Sequence, residues 1–412
     1  MRTATILLSV LVFEFLLWNF APACTTAVIS GKATPDGRPL LWKHRDSGQA
    51  HNVLRYFNDG IYSYIGIVNA DDSLGENVWA GCNSAGFAIM NSASYNLKVS
   101  GDSTEIVDQE GRIMKLALQR CRSLNDFERL LDTLPKPLGV ESNFGVIDAQ
   151  GGAAYYETDD FSYHKLDVND PVIAPEGYLI HTNFSFTGRK DEGEGYIRYA
   201  QAEKLFFNAS GLNNLTPRFL LQTVSRNLQH GLTNRDLRDE CPASAAETHF
   251  VNFRDFIPRH SSVSVMVVQG VRKGQPANQA VCWTILGFPL TTVAMPFWVA
   301  TGDALPSIVT PGKSGTAPLC EAALQLKEQC FPVKRGSGAS YLNLAVLLNT
   351  NGTGILQRVL PFESMIIEQG QNLVQMFEHR GFHREAVLKF YRESTEKIRH
   401  FYRKEFHLNL GE

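Results

Sequence analysis

The sequence predicts an α+β fold in which sheets are covered by helices. Strand-like segments occur as a block, helical patterns follow in pairs, and strands return before a helical C-terminal stretch. The regular strand–helix alternation that signals a parallel sheet is not seen. No internal repeat is evident.

The first 23 residues stand apart. Arg2 precedes a mostly apolar run from Ile6 to Phe20, and Ala21 and Ala23 occupy the two small-residue positions of an A-x-A cleavage site. A signal peptide over residues 1–23 is therefore expected, with export to the periplasm or the medium and Cys24 as the first mature residue. Glu14 interrupts the run and no second long apolar stretch follows, so no transmembrane segment is expected after cleavage.

Thr25 to Ser30 alternates as a strand, Pro35-Asp36-Gly37 marks a turn, and Pro39 to Lys43 forms a second short apolar run. Further strands are expected over Tyr62 to Val68, Asn77 to Gly81, Gly86 to Asn91, Phe144 to Ile147 and Ala153 to Glu157. Tyr178 to Thr182, Ser262 to Val268 and Ala280 to Leu286 complete the series. Helical spacing of apolar residues appears over Arg112 to Cys121 and over Leu124 to Leu134, the second with Ser123 as N-cap. Tyr196 to Phe207 and Pro217 to Gln229 form another helical pair. Residues 302–318 are rich in Gly, Pro, Ser and Thr and read as a linker between a domain over 24–301 and a mainly helical extension over 319–412. The amphipathic Ser364 to Phe406 segment is expected to dock on the domain or to form a face for a homo-oligomer.

Cleavage after Ala23 would place a thiol and a free α-amine on one residue, a nucleophile carrying its own base. An α-amine ionises near pH ~7.7–8.0, so it can take the thiol proton at neutral pH and return it to a leaving amine. The leader alone leaves two rivals open, a lipid anchor on Cys24 and a structural cysteine. A lipobox normally has Leu or a similar residue three positions before the cysteine, where this chain has Ala21.

Downstream residues favour the nucleophile. The run from Cys24 to Asp46, ending Trp42-Lys43-His44-Arg45-Asp46, resembles the start of mature N-terminal-nucleophile (Ntn) linear amide hydrolases. That superfamily includes penicillin V acylase, bile salt hydrolase, acid ceramidase, isopenicillin-N acyltransferase and a dipeptidase branch. The resemblance implies an αββα four-layer sandwich over about Cys24 to Ala300. It implies that Asp46 directs the Cys24 amine and that a cation supports the thiolate. Lys43 stands where the family usually has Arg, and Arg45 lies two residues on, so either can supply that charge. The run from Gly81 to Asn91 is similar to the family motif ending in an oxyanion-hole residue, which assigns that role to Asn91. Tyr178 to Asn183 is similar to the strand-closing "T-N", which makes Asn183 a second donor; Asn183 also heads an N-glycosylation sequon, and the two readings exclude each other. Arg198, at a helix start, resembles an Arg that holds the site together. His181 and His260 are read as structural.

The implied activity is hydrolysis of a linear amide of an N-acyl substrate through a thioester, with acyl transfer as the same chemistry on another acceptor. Dipeptidase activity is the alternative within the class, and a non-catalytic lipoprotein anchored through Cys24 the alternative outside it. A net charge of −3 gives no nucleic-acid footprint. Seven cysteines are present without a C-x-x-C or H-E-x-x-H pattern, and no metal or organic cofactor is implied. Trp79, Tyr95 and Phe186 near the motifs suit an apolar acyl group or plain core packing equally.

Overall fold

The computed structural model describes residues 23–98 and 108–411, so the leader 1–22 lies outside the described residues. Alternating residues at Thr25–Ile29 form β1, which pairs antiparallel with β2 (Leu40–Asp46), Thr25 opposite His44 and Ile29 opposite Leu40. Gly37 turns the connection at φ 72°, a conformation glycine adopts without a Cβ penalty.

Seven strands then add in sequence order to make a second antiparallel sheet. They are β3 (Asn52–Phe57), β4 (Tyr64–Asn69), β5 (Ala80–Asn83), β6 (Ala88–Ala93), β7 (Ser142–Ile147), β8 (Ala153–Thr158) and β9 (Tyr163–Asp167). The chain returns to the first sheet at β10 (Tyr178–His181), which pairs with the free side of β1. After β11 (Phe250–Asn252), strands β12 (Ser262–Gln269), β13 (Val281–Leu286) and β14 (Met295–Phe297) complete the order β10-β1-β2-β12-β13-β14. β15 (Tyr341–Asn343) pairs with β11 alone. Cys24 therefore leads into a strand held on both sides.

The two sheets pack face to face. Tyr155 on β8 donates its hydroxyl to Thr26 Oγ1 on β1 at 2.9 Å. Gly145 on β7 sits where a Cβ would meet Met90 Cε at 2.2 Å and Val28 Cγ2 at 2.8 Å, so a side chain there would push the sheets apart.

Helices cover both outer faces. α1 (Glu110–Arg120) buries Ile113, Met114, Ala117 and Leu118, and Asn83 on β5 donates to its Leu118 carbonyl at 2.9 Å. α2 (Leu124–Thr133) starts at Ser123, whose hydroxyl accepts from Asp126 N. On the other side lie α3 (Tyr196–Gly211), α4 (Pro318–Cys330), the short α5 (Leu344–Leu347), α6 (Ile355–Arg380) and α7 (Arg384–Phe406). Trp42 of β2 packs on Phe206 of α3, and Trp298 N donates to Tyr391 Oη of α7 at 3.1 Å. The layers are thus helix, sheet, sheet, helix, in agreement with the αββα expectation.

Some elements differ from the sequence reading. Pro217 to Gln229 contains one π-helical turn, Phe219–Val224, instead of a full helix. Ser364 to Phe406 is two helices broken at 381–383, and the first begins earlier, at Ile355. The Gly/Pro-rich 302–318 segment has irregular backbone, yet Val309 O accepts from Leu54 N of β3 at 2.9 Å. All seven cysteines carry free thiols. Cys320 and Cys330, close in sequence, sit at opposite ends of α4, about 15 Å apart along its axis.

Candidate active site

Cys24 is 5% exposed, and its Sγ lies 4.0 Å from the carbonyl oxygen of Asp46 at the end of β2. Side chains alternate along β2. Lys43 and Arg45 point between the sheets, while His44 and Asp46 point the other way, toward neighbours on β12. Both cations on the inner face lie within electrostatic reach of Cys24. Lys43 and Arg45 thus share the inner face of β2.

The Lys43 ammonium crosses to the second sheet, donating to Trp79 O at 2.8 Å and to Asn91 Oδ1 at 2.6 Å. Burial lowers its pKa to about 8; Cys24 and Glu110 oppose that shift and Arg45 adds to it. The Arg45 guanidinium donates to Asn52 Oδ1 at 2.6 Å and Asn69 Oδ1 at 2.9 Å, and stacks on the Trp79 ring at 4.8 Å. Burial brings it down to about 10.

Asp46 is fully desolvated but well partnered. Its Oδ1 accepts from Ser262 Oγ at 2.6 Å and its Oδ2 from Arg259 Nε at 2.7 Å. A β-bulge between Ser262 and Ser264 gives β12 an extra residue opposite β2 and places Ser262 across from Asp46. Because the Ser262 hydroxyl donates to Asp46, His44 Nε2, 2.9 Å away, is the donor to Ser262. Burial lowers His44 to about 4 and keeps the ring neutral. Arg259 Nη2 also donates to Ala23 O at 2.9 Å, so one guanidinium holds both the Asp46 carboxylate and the peptide just before Cys24.

Arg198, in the first turn of α3, ties the other side. Its Nη1 donates to Cys24 O and Thr25 Oγ1, both at 2.8 Å, and its Nη2 to Asn183 Oδ1 at 2.8 Å. Burial lowers it to about 10. Asn183 is fully buried, with Nδ2 donating to Ala93 O at 2.9 Å, so the fold leaves no room for a glycan on it. Asn91 Nδ2 donates to Ser142 Oγ at 3.1 Å. The structure therefore gathers Cys24, Lys43, Asp46, Asn91, Asn183 and Arg198 around one strand end.

Other residues join that sequence reasoning did not single out. Arg259, Ser262, His44 and Ser142 fix the polar groups above. Only the bulge aims Ser262, and no spacing in the sequence reports it. His181 Nε2 donates to the Glu157 carboxylate at 2.8 Å, and His260 packs edge-on against Phe331. Tyr95 lies within electrostatic reach of Cys24, and burial raises its pKa. Trp79 serves as the Arg45 platform, and Phe186 packs at a tilt against His181 while 44% exposed. Among the described residues no group of three or more His, Cys, Asp or Glu side chains is placed to hold a metal ion, and no helix is long and apolar enough to cross a membrane.

Neither a family model nor a curated protein matches the chain. Solved structures similar to it include a Caenorhabditis elegans N-acylethanolamine-hydrolyzing acid amidase ortholog, at 14% identity, covering 64% of this chain and 99% of that one with a TM-score of 0.40. A mutant conjugated bile acid hydrolase from Clostridium perfringens is similar at 11% identity, covering 67% and 92%, with a TM-score of 0.35. Penicillin V acylase from Agrobacterium tumefaciens is similar at 12% identity, covering 67% and 85%, with a TM-score of 0.34.

Proposed function

We propose that the chain is an exported cysteine hydrolase of the N-terminal-nucleophile type, cleaving the amide C–N bond of a small N-acyl substrate through a thioester. The observation that carries this reading is the position of the Ala23–Cys24 peptide. It lies beside a buried carboxylate–guanidinium pair, Asp46 and Arg259, and two further cations face the thiol. Loss of the residues through Ala23 would free an amine beside Asp46, which accepts hydrogen bonds and fixes its direction.

In this reading the Cys24 amine takes the thiol proton and the sulfur attacks the amide carbonyl carbon. Asn91 and Asn183 donate to the developing oxyanion; Asn91 has a second N–H beyond the one given to Ser142. The amine then protonates the leaving nitrogen, the C–N bond breaks, and the acyl group stays on sulfur. Water, deprotonated by the same amine, releases the acid. An acceptor amine in place of water would make the enzyme an acyltransferase. Arg198 touches no reacting atom; it positions Cys24 and Asn183 together.

Intact mass and N-terminal sequencing of protein from an exporting host test this directly. A chain beginning at an unmodified Cys24, active on N-acyl amides, is expected. Cys24→Ser should fold normally and lose about 10³-fold or more of kcat. A lipid-sized mass increase with a blocked amine, or a Cys24→Ala variant with normal turnover, overturns the reading.

A further inference from the structure

One concavity is lined by none of the candidate site residues, although its Lys327 is within electrostatic reach of Asp46. A cleft of ≈ 760 Å³ runs between α4 and residues 331–339, with Leu324, Phe331 and Val333 supplying apolar wall. That volume suits a small organic molecule. Lys327 of α4 lines it while only 9% exposed. Among the described residues its ammonium has neither a hydrogen bond nor an ion pair, and it stands 5.6 Å from the Phe288 ring.

The acids of the cleft are already engaged. Glu321 accepts from Ser314 and Thr316, and Glu328 pairs with Lys334 at 3.3 Å on the rim. His260, beside Arg259 in sequence, is kept uncharged at neutral pH by burial and by Lys327 and Lys334, which bring it to about 4. Burial lowers Lys327 only to about 8, so it still carries its proton at pH 7. The Lys327 ammonium is mostly shielded from water and the charges that attract it, Asp46 first, act from beyond hydrogen-bond reach, so a cleft that presents it beside apolar walls is suited to a ligand bringing an anion into contact.

We propose that this cleft binds an organic carboxylate with an apolar body, the carboxylate on Lys327 and the hydrocarbon on Leu324, Phe331 and Val333. The site is independent of amide cleavage, since nothing in it requires reaction at Cys24. Octanoate and octanamide are the probes, titrated calorimetrically into full-length Cys24→Ser protein so that neither is turned over. Octanoate should bind at least about tenfold more tightly than octanamide. Lys327→Met should erase that preference and Lys327→Arg should keep it. Equal binding of the two probes, no measurable octanoate heat at millimolar concentration, or an unchanged preference in folded Lys327→Met overturns the proposal. If Lys327→Met does not fold, the acid–amide comparison on the parent protein decides alone.

Discussion

Lys43 Nζ lies 2.6 Å from Asn91 Oδ1, which joins the cation of β2 and the amide of β6 across the two sheets. The ammonium orients the amide that would donate to an oxyanion, so losing its proton disturbs two functions at once. Burial has lowered Lys43 from its ordinary 10.5 to about 8. Below about 8 folded and unfolded chains both hold the proton, and the burial penalty is fully present. Between about 8 and 10.5 only the unfolded chain holds it, so this residue's contribution to stability rises with pH across that window. Activity should run the other way. We expect kcat/KM to fall above pH about 8, and Lys43→Arg to carry the alkaline limb upward because a guanidinium keeps its charge. Lys43→Met should lower kcat by about 10²-fold and remove that limb. pH–rate profiles of the three proteins check this.

Arg259 and Asp46 make a pair whose loss is asymmetric. Arg259→Met takes the guanidinium from a fully desolvated carboxylate whose other side-chain donor, among the described residues, is Ser262, which should destabilise the fold by about 3–5 kcal/mol. Ser262→Ala removes one neutral donor to Asp46 and leaves the buried His44 N–H unpaired, and should cost about 2–3 kcal/mol. Urea unfolding of both variants measures the difference; equal midpoints would show that Arg259 is not the partner Asp46 depends on.

Local signals made much of this legible. The Thr25–Ile29 alternation, the turn at Gly37 and the Ser123 cap each follow from short-range chemistry, and the structure has all three. The segment Asn52–Phe57 carries no clean strand pattern because Asn52 and Arg55 interrupt its apolar residues, and pairing with β4 supplies what propensity does not. The helix expected over Pro217 to Gln229 is a π turn because Ser225 and Arg226 bond back to the Leu220 and Leu221 carbonyls. Of the candidate site residues, Cys24, Lys43 and Asp46 were close together in one hairpin of the sequence. Arg259 and Ser262 were not, since more than 200 residues separate them from Asp46 and only sheet register brings them together.

Arg198 bridges Cys24 O, Thr25 Oγ1 and Asn183 Oδ1, and among the described residues no carboxylate is in direct contact with it. Its value is geometric, because the two Nη atoms of a planar fork span acceptors on both sides that a single ammonium nitrogen cannot reach together. Arg198→Lys should therefore lower kcat by about 10–10²-fold while leaving most of the stability in place. A slower rate of Cys24 alkylation, read by mass spectrometry of the peptide containing it, would show that the nucleophile has lost its orientation. Unchanged kcat and alkylation would remove Arg198 from the site.

Glu363 of α6 tests whether the C-terminal helices fold with the sheets. Its carboxylate pairs with the buried guanidinium of Arg226, just after the π turn, and accepts from Ala294 N at 2.6 Å and Gln222 Nε2 at 3.0 Å. Both charges are desolvated, so Glu363→Ala strands Arg226 and should cost about 3–5 kcal/mol. Glu363→Gln keeps the shape but cannot neutralise the charge, and should fall between Ala and the parent. Because the pair couples α6 to the segment under Trp42, we expect one cooperative unfolding transition in every variant, shifted as a whole to lower denaturant. A second transition appearing in Glu363→Ala, with the helices melting first, would mark residues 319–411 as a separately folding unit joined by the 302–318 segment.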